Sequence, residues 1–159
     1  MSDKRNDDSF IASYNRHVDT VYRVCYTYLR NAADAEDAAQ NVFIKLLARP
    51  VRFESVEHER AWLIRVATNY CKDALKAPWA QRFSLEDVPE PTAADTGYDE
   101  TLDAMMKLPE NQRLCAYLYY YEGYKTVEIA EILKCPHSTV RNNLSEARTL
   151  LRRRIGRWI

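Results

Sequence analysis

Glycine occurs only three times in 159 residues, at Gly97, Gly123 and Gly156. A chain so poor in glycine has few places where the backbone turns left-handed at no steric cost, which disfavours sheet folds built on many tight turns. It also excludes a Gly-rich phosphate loop and a dinucleotide-binding fingerprint, since each needs several glycines within a few residues. Helices joined by short connections remain, and the apolar residues recur at helical spacing through most of the chain. The expected fold class is all-α.

Phe10, Tyr14, Val18, Val21, Cys25 and Leu29 stand three and four residues apart and predict one face of a first helix, which Asn31 and its neighbours end. Asp34, with Asp37 three positions on, is the expected N-cap of a second helix with the stripe Ala35, Ala38, Ala39, Val42, Phe43, Leu46 and Leu47. Pro50 ends it, and a polar loop over 51–59 leads to a third helix with inner face Leu63, Val66, Ala67, Tyr70 and Ala74, stopped before Pro78. Beyond that point periodicity lapses. Residues 77–105 hold Pro78, Pro89, Pro91 and Gly97, with seven acidic side chains against the single base Arg82. This composition predicts a flexible acidic linker over 77–101 between a domain at 1–76 and a second at 102–159.

In the second domain Pro109 suits a first helical turn and Gly123 the position past a helix end. Thr126 is the expected cap of a short helix with inner face Ile129, Ile132 and Leu133. Ser138 or Thr139 is the expected cap of a last helix with the stripe Val140, Leu144, Ala147, Leu151 and Ile155. A short helix, a tight turn and a longer basic helix form a helix-turn-helix pattern.

Charge separates the function classes. The 23 basic and 23 acidic side chains cancel overall, yet residues 106–159 carry ten bases against five acids. A basic C-terminal block set off by an acidic middle points to nucleic acid. The longest apolar runs, 61–64 and 114–121, fall well short of the roughly 20 residues of a bilayer span. The polar, acid-bearing stretch 1–9 reads as neither a secretory signal nor a transit peptide, so the expectation is a cytoplasmic protein without membrane insertion. Cys25, Cys71, Cys115 and Cys135 are scattered singly and read as reduced thiols, and Cys135-Pro136-His137 has poor metal geometry. No cofactor, metal or small-molecule substrate is expected. An enzyme would have to use the acid trio Asp34, Glu36 and Asp37, or the thiol of Cys71 beside Lys72; neither has a histidine or base partner that completes a catalytic arrangement.

On the last helix Arg141, Ser145, Arg148 and Arg152 share a face turned from the apolar stripe, with Asn142 beside Arg141. Arginine and asparagine make bidentate contacts to guanine and adenine edges in the major groove, while hydroxyls and cations fix phosphates. Ser138 and Thr139, at the start of the helix, suit a phosphate on its free N–H groups.

Two sets of motifs carry a resemblance. The first is Asp34-Ala35-Glu36-Asp37-Ala38-Ala39-Gln40 with Val42-Phe43, followed by Trp62-Leu63-Ile64-Arg65-Val66-Ala67 and Asn69. The second runs from Leu108-Pro109-Glu110-Asn111-Gln112-Arg113 through Glu122-Gly123-Tyr124 and Glu128-Ile129-Ala130 to Thr139-Val140-Arg141 and Ala147-Arg148. In this order and spacing the chain resembles the bacterial extracytoplasmic-function (ECF) sigma factors, over nearly its whole length.

The resemblance implies a promoter-specificity subunit of RNA polymerase. It implies docking of Asp34, Glu36, Asp37 and Gln40 on the clamp helices of the polymerase β′ subunit, with further contact to the β subunit. It implies that Asn69 reads an unpaired base of the −10 element, with Phe53 or the loop over 51–59 closing the pocket and Arg65, Lys72 and Lys76 on the strand's phosphates. Ser138, Thr139, Arg141, Asn142, Ser145, Arg148 and Arg152 then meet promoter DNA at the −35 element. An anti-sigma factor is a further implied partner. Four departures stand out: Asn41 where the family has Glu, Asn143 and Glu146 where it has bases, and Lys134 in place of the glycine of the turn. A helix-turn-helix regulator that works without polymerase is the alternative reading; it predicts a homodimer on a palindromic site.

Overall fold

The computed structural model describes residues 2–48, 52–76 and 104–155, all helices and the turns between them. The chain divides into two compact units, Met1–Arg82 and Phe83–Ile159. The expected linker 77–101 lies outside the described residues.

The first unit packs three helices against one another: α1 (Ser2–Leu29), α2 (Ala32–Ala48) and α3 (Val56–Lys76). Its core is Val21, Val24, Cys25 and Tyr28 of α1, Ala35, Ala38, Val42 and Phe43 of α2, and Leu63, Ile64, Ala67 and Cys71 of α3. Each fully buried branched or aromatic side chain here contributes about 1.5–3 kcal/mol. Two helix faces differ from expectation. On α1 the buried face continues through Ser13, His17, Thr20 and Thr27, while Tyr14 is exposed and Phe10, Val18 and Leu29 are half-buried. On α3 the buried face is turned toward Ile64, Thr68 and Cys71, leaving Val66, Tyr70 and Ala74 half-buried. Tyr70 serves there as a platform for Lys45, whose ammonium lies 5.2 Å from the ring centre.

The helix starts also differ. Asn31 Oδ1 accepts the Asp34 N–H at 3.1 Å, so Asn31 caps α2 and Asp34 sits inside its first turn. Between α1 and α2 the chain reverses at Arg30, a non-glycine residue at φ 56°.

The second unit contains α4 (Glu110–Tyr120), α5 (Thr126–Leu133) and α6 (His137–Ile155), with α4 and α5 both packed on α6. Buried Arg113 donates through Nη1 to the carbonyls of Met106 and Leu108 at 3.4 Å each, tying the helical turn at 104–106 to α4. Gly123, at φ 75°, makes the left-handed reversal expected past the end of α4. Val140, Leu144, Ala147 and Leu151 of α6 are buried as expected, with Ile129 and Ile132 of α5.

Candidate functional site

The turn between α5 and α6 sets the approach of the last helix. Lys134 takes the left-handed conformation at φ 52°, and its N–H and that of Cys135 return to the Ala130 carbonyl. This is the geometry a helix-ending glycine supplies at no steric cost; here a lysine adopts it. Pro136 then accepts the N–H groups of Thr139 (3.0 Å) and Val140 (3.4 Å), so the cap lies two residues before Ser138 and three before Thr139, and the helix already begins at His137. Ser138 and Thr139 are freed from capping and are exposed in the first turn. Thr126 is no cap either. The Glu128 carboxylate accepts the Lys125 N–H at 2.9 Å, while Thr126 Oγ1 lies 2.7 Å from His137 Nε2 and ties the first turn of α5 to that of α6.

Three faces run along α6. The apolar one is sunk in the core. A second faces α4: the Gln112 amide donates to Glu146 Oε2 at 2.8 Å, Asn143 Nδ2 lies 3.9 Å from Cys115 Sγ, and Arg148 Nε donates to the Tyr120 hydroxyl at 3.3 Å. Two of the departures from the family pattern, Asn143 and Glu146, thus have partners inside the unit. The third face is exposed and carries Ser138, Arg141, Asn142, Ser145 and Arg152. Arg148 was expected on that face but is half-buried, and the Tyr120 hydroxyl holds its guanidinium more firmly protonated than an ordinary arginine.

In the first unit Trp62, Arg65, Val66, Asn69 and Lys76 follow one another at helical spacing along α3, with Lys72 beside Asn69; Asn69, Lys72 and Lys76 are exposed. Arg65 is half-buried, and one terminal guanidinium nitrogen has no hydrogen-bond partner among the described residues. Phe53 lies against this helix, its ring 5.5 Å from Trp62 and 5.4 Å from His58. Half-buried Trp62 therefore packs on Phe53. The loop expected over 51–59 is shorter than the sequence suggests. α3 already begins at Val56, and its first turn is secured by Ser55 Oγ accepting the His58 N–H at 3.0 Å and by His58 Nδ1 accepting the Glu54 N–H at 3.2 Å.

On α2, Glu36, Asp37 and Gln40 are exposed and Asp34 is half-buried. Asn41 turns back onto its own helix, donating to the Asp37 carbonyl at 2.8 Å. The polar stripe continues into two residues absent from the sequence-derived site: Ile44 is 58% and Leu47 52% exposed. Leu47 was expected in the core. Six consecutive apolar or aliphatic-stemmed residues at 42–47 cannot all fit one buried face, and Val42, Phe43 and Leu46 occupy it. Ile44 and Leu47 thus add two aliphatic side chains to the exposed face that carries Glu36, Asp37 and Gln40.

A polar cluster around buried His17 joins α1 to α3. His17 is fully buried, its Nε2 is 2.7 Å from Glu59 Oε1, and Arg16 Nη1 is 2.8 Å from the same oxygen. His17 Nδ1 has no hydrogen-bond partner among the described residues, and desolvation pushes the imidazole below its ordinary pKa despite the carboxylate. The sequence carries no signal for this cluster, because its partners are 42 and 43 residues apart.

Among the described residues no helix is long and apolar enough to cross a membrane, and no group of His, Cys, Asp and Glu is placed to hold a metal ion. The four cysteines form no disulfide.

Comparison with known proteins gives one consistent answer. Residues 13–81 match the sigma-70 region 2 family, and residues 98–151 match sigma-70 region 4. The chain is 28% identical to the ECF RNA polymerase sigma factor SigW of Bacillus subtilis, covering 96% of this chain and 91% of that protein. It is 29% identical to the ECF RNA polymerase sigma factor SigM of Mycobacterium tuberculosis, over 93% of this chain and 78% of the relative. The fold is similar to that of the sigma factor RpoE from Bartonella quintana, solved in complex with the anti-sigma factor NepR, with a TM-score of 0.75 and 21% identity over 93% of this chain and 97% of that one.

Proposed function

Because the chain belongs to the ECF sigma factors, an alternative sigma factor that directs RNA polymerase to promoters, we propose a division of that task among its exposed faces. The C-terminal unit reads duplex DNA at the −35 element through α6. Arg141 and Asn142 supply base-edge donors and acceptors, while Ser138, Thr139, Ser145 and Arg152 hold the backbone. The N-terminal unit docks on the β′ clamp helices through Glu36, Asp37 and Gln40, with Asp34 at the edge and Ile44 and Leu47 as the apolar part of the contact. Asn69 reads a −10 base extruded from the non-template strand. Lys72, Lys76 and Arg65 neutralise that strand's phosphates, and Phe53 on Trp62 forms an aromatic wall beside them.

One observation carries this reading: the exposed polar side chains of α6 are kept apart from both its apolar stripe and its α4-facing side, so Ser138, Thr139, Arg141, Asn142, Ser145 and Arg152 are left for an external partner. The exposed Ile44–Leu47 stripe favours a polymerase subunit over a free-standing regulator, which leaves that stripe without a partner. Contact with the β subunit completes the complex. By likeness to the RpoE–NepR complex, an anti-sigma factor holds the chain inactive in the cytoplasm until released.

The test is transcription from a randomised promoter pool by core RNA polymerase with and without the chain. The expected result is a shared pair of sequence elements in the transcribed templates that appears only when the chain is added. Templates without any common element would refute the proposal.

A further inference from the structure

Arg148 differs from every other basic residue of the α6 recognition face. Arg141 and Arg152 are exposed, whereas Arg148 is half-buried and spends its Nε donor on Tyr120 of α4. Tyr120 is itself half-buried and held edge-on by Tyr119, with ring centres 5.0 Å apart and planes at 86°. A hydroxyl confined in this way offers its oxygen along a narrow range of directions. The neighbouring polar residues of α6 behave alike, Glu146 engaging Gln112 and Asn143 lying near Cys115. The seam spans more than a turn of α6 and joins residues 28 and 34 apart in sequence. It leaves α6 with polar connections to α4 at one edge and apolar packing at the other, which together fix the rotation of the helix about its axis.

We propose that Tyr120 and Arg148 are positioning residues for promoter recognition: the Tyr120–Arg148 hydrogen bond sets the rotation at which α6 presents Arg141 and Asn142 to DNA, and neither residue contacts DNA itself. This rests on the reading of α6 as the −35 reader. Its consequence is that promoter affinity depends on a tyrosine hydroxyl on a different helix. Because the bond neutralises no phosphate, the seam contributes nothing to counterion release. A phosphate-binding arginine behaves in the opposite way, raising the salt dependence of binding by about 0.9 in log–log slope per contact.

The experiment uses holoenzyme assembled from core polymerase and the full chain, with a duplex selected from a randomised pool by wild-type holoenzyme. Affinity is measured across a salt series for wild type, Tyr120→Phe, Arg148→Ala and the double variant, with Arg141→Ala alongside. Tyr120→Phe keeps the ring and removes only the oxygen, so it retains the packing of α4. The expected result is a loss of about fivefold for Tyr120→Phe, the worth of one net hydrogen bond. Arg148→Ala is expected to lose at least as much, the double variant no more than Arg148→Ala, and both singles to keep the wild-type salt slope. A silent Tyr120→Phe, or a salt slope lowered by Arg148→Ala, overturns the proposal while leaving the reading of α6 intact. If wild-type holoenzyme selects no duplex, or Arg141→Ala binds as wild type does, the reading of α6 fails and the proposal fails with it.

Discussion

Replacing Lys134 by glycine stabilises the C-terminal unit. Lys134 holds φ at 52°, a conformation that costs an ordinary L-residue about 1–2 kcal/mol because Cβ crowds the following carbonyl oxygen. Glycine escapes that clash but loses about 0.5–1 kcal/mol more backbone entropy on folding, so the net gain is about 0.5–1 kcal/mol. For a unit of this size that raises the midpoint of thermal unfolding by roughly 2–8 °C. Calorimetry of the intact chain, following the transition of the C-terminal unit, measures it. Lys134→Asn separates conformation from charge, since asparagine tolerates the left-handed region while losing the same cation. It is expected to fall between the two. Gly123→Ala is the mirror experiment: Gly123 sits at φ 75°, and a Cβ added there meets nothing within 4 Å, so any destabilisation reports the dihedral alone. A loss of about 1 kcal/mol is expected. If Lys134→Gly leaves the midpoint unchanged or lowers it while Gly123→Ala destabilises, the turn at 134–136 is held by contacts of the lysine itself, and the strain argument is wrong.

Other expectations follow from the same structure. Burial lowers the pKa of His17, so the folded N-terminal unit disfavours the protonated imidazole, with Glu59 beside it and Arg16 and Arg60 opposing the charge. Stability from this source is full above the unfolded-state value of about 6.5 and is lost as pH falls through it toward the lower folded value, so the midpoint drops on acidification and His17→Gln flattens the dependence. Leu47→Ser or Ile44→Ser weakens binding to core polymerase about tenfold in a competition assay while leaving folding within ~0.5 kcal/mol, because both side chains are already exposed. An unchanged affinity removes that stripe from the docking face. The free chain binds its promoter duplex only weakly at physiological salt and gains affinity once polymerase tethers both units at high effective concentration. Nanomolar binding by the chain alone contradicts this.

Among the described residues, α1 to α3, α5 and α6 follow from apolar spacing, whereas the rotation of two of them does not. On α1 the buried face includes Ser13, His17 and Thr27, which an apolar pattern passes over; Thr27 is accommodated because its hydroxyl donates to the Val24 carbonyl of the same helix at 2.6 Å. The helix starts are misread for one recurrent reason. Asp34, Thr126, Ser138 and Thr139 are all good capping types, but Asn31, the Lys125–Glu128 pair and Pro136 lie closer to the reversal of the chain and serve first. On the candidate site, Arg141, Asn142, Ser145 and Arg152 are legible because amphipathicity alone places them opposite a buried stripe. Arg148 belongs to the same stripe by spacing, and only its tertiary partner Tyr120 distinguishes it. Ile44 escapes notice for the converse reason: nothing in a run of apolar residues marks the one left in solvent.

The claim on which the account turns is that one chain uses separate faces to find a promoter and to open it. Permanganate reactivity of −10 thymines, measured together with nuclease protection over −35 on the same holoenzyme–promoter complexes, tests it directly. Asn69→Ala is predicted to keep −35 protection and lose −10 reactivity, whereas Arg141→Ala loses protection and recovers reactivity once holoenzyme is raised to saturation. Parallel loss of both signals in both variants contradicts the account.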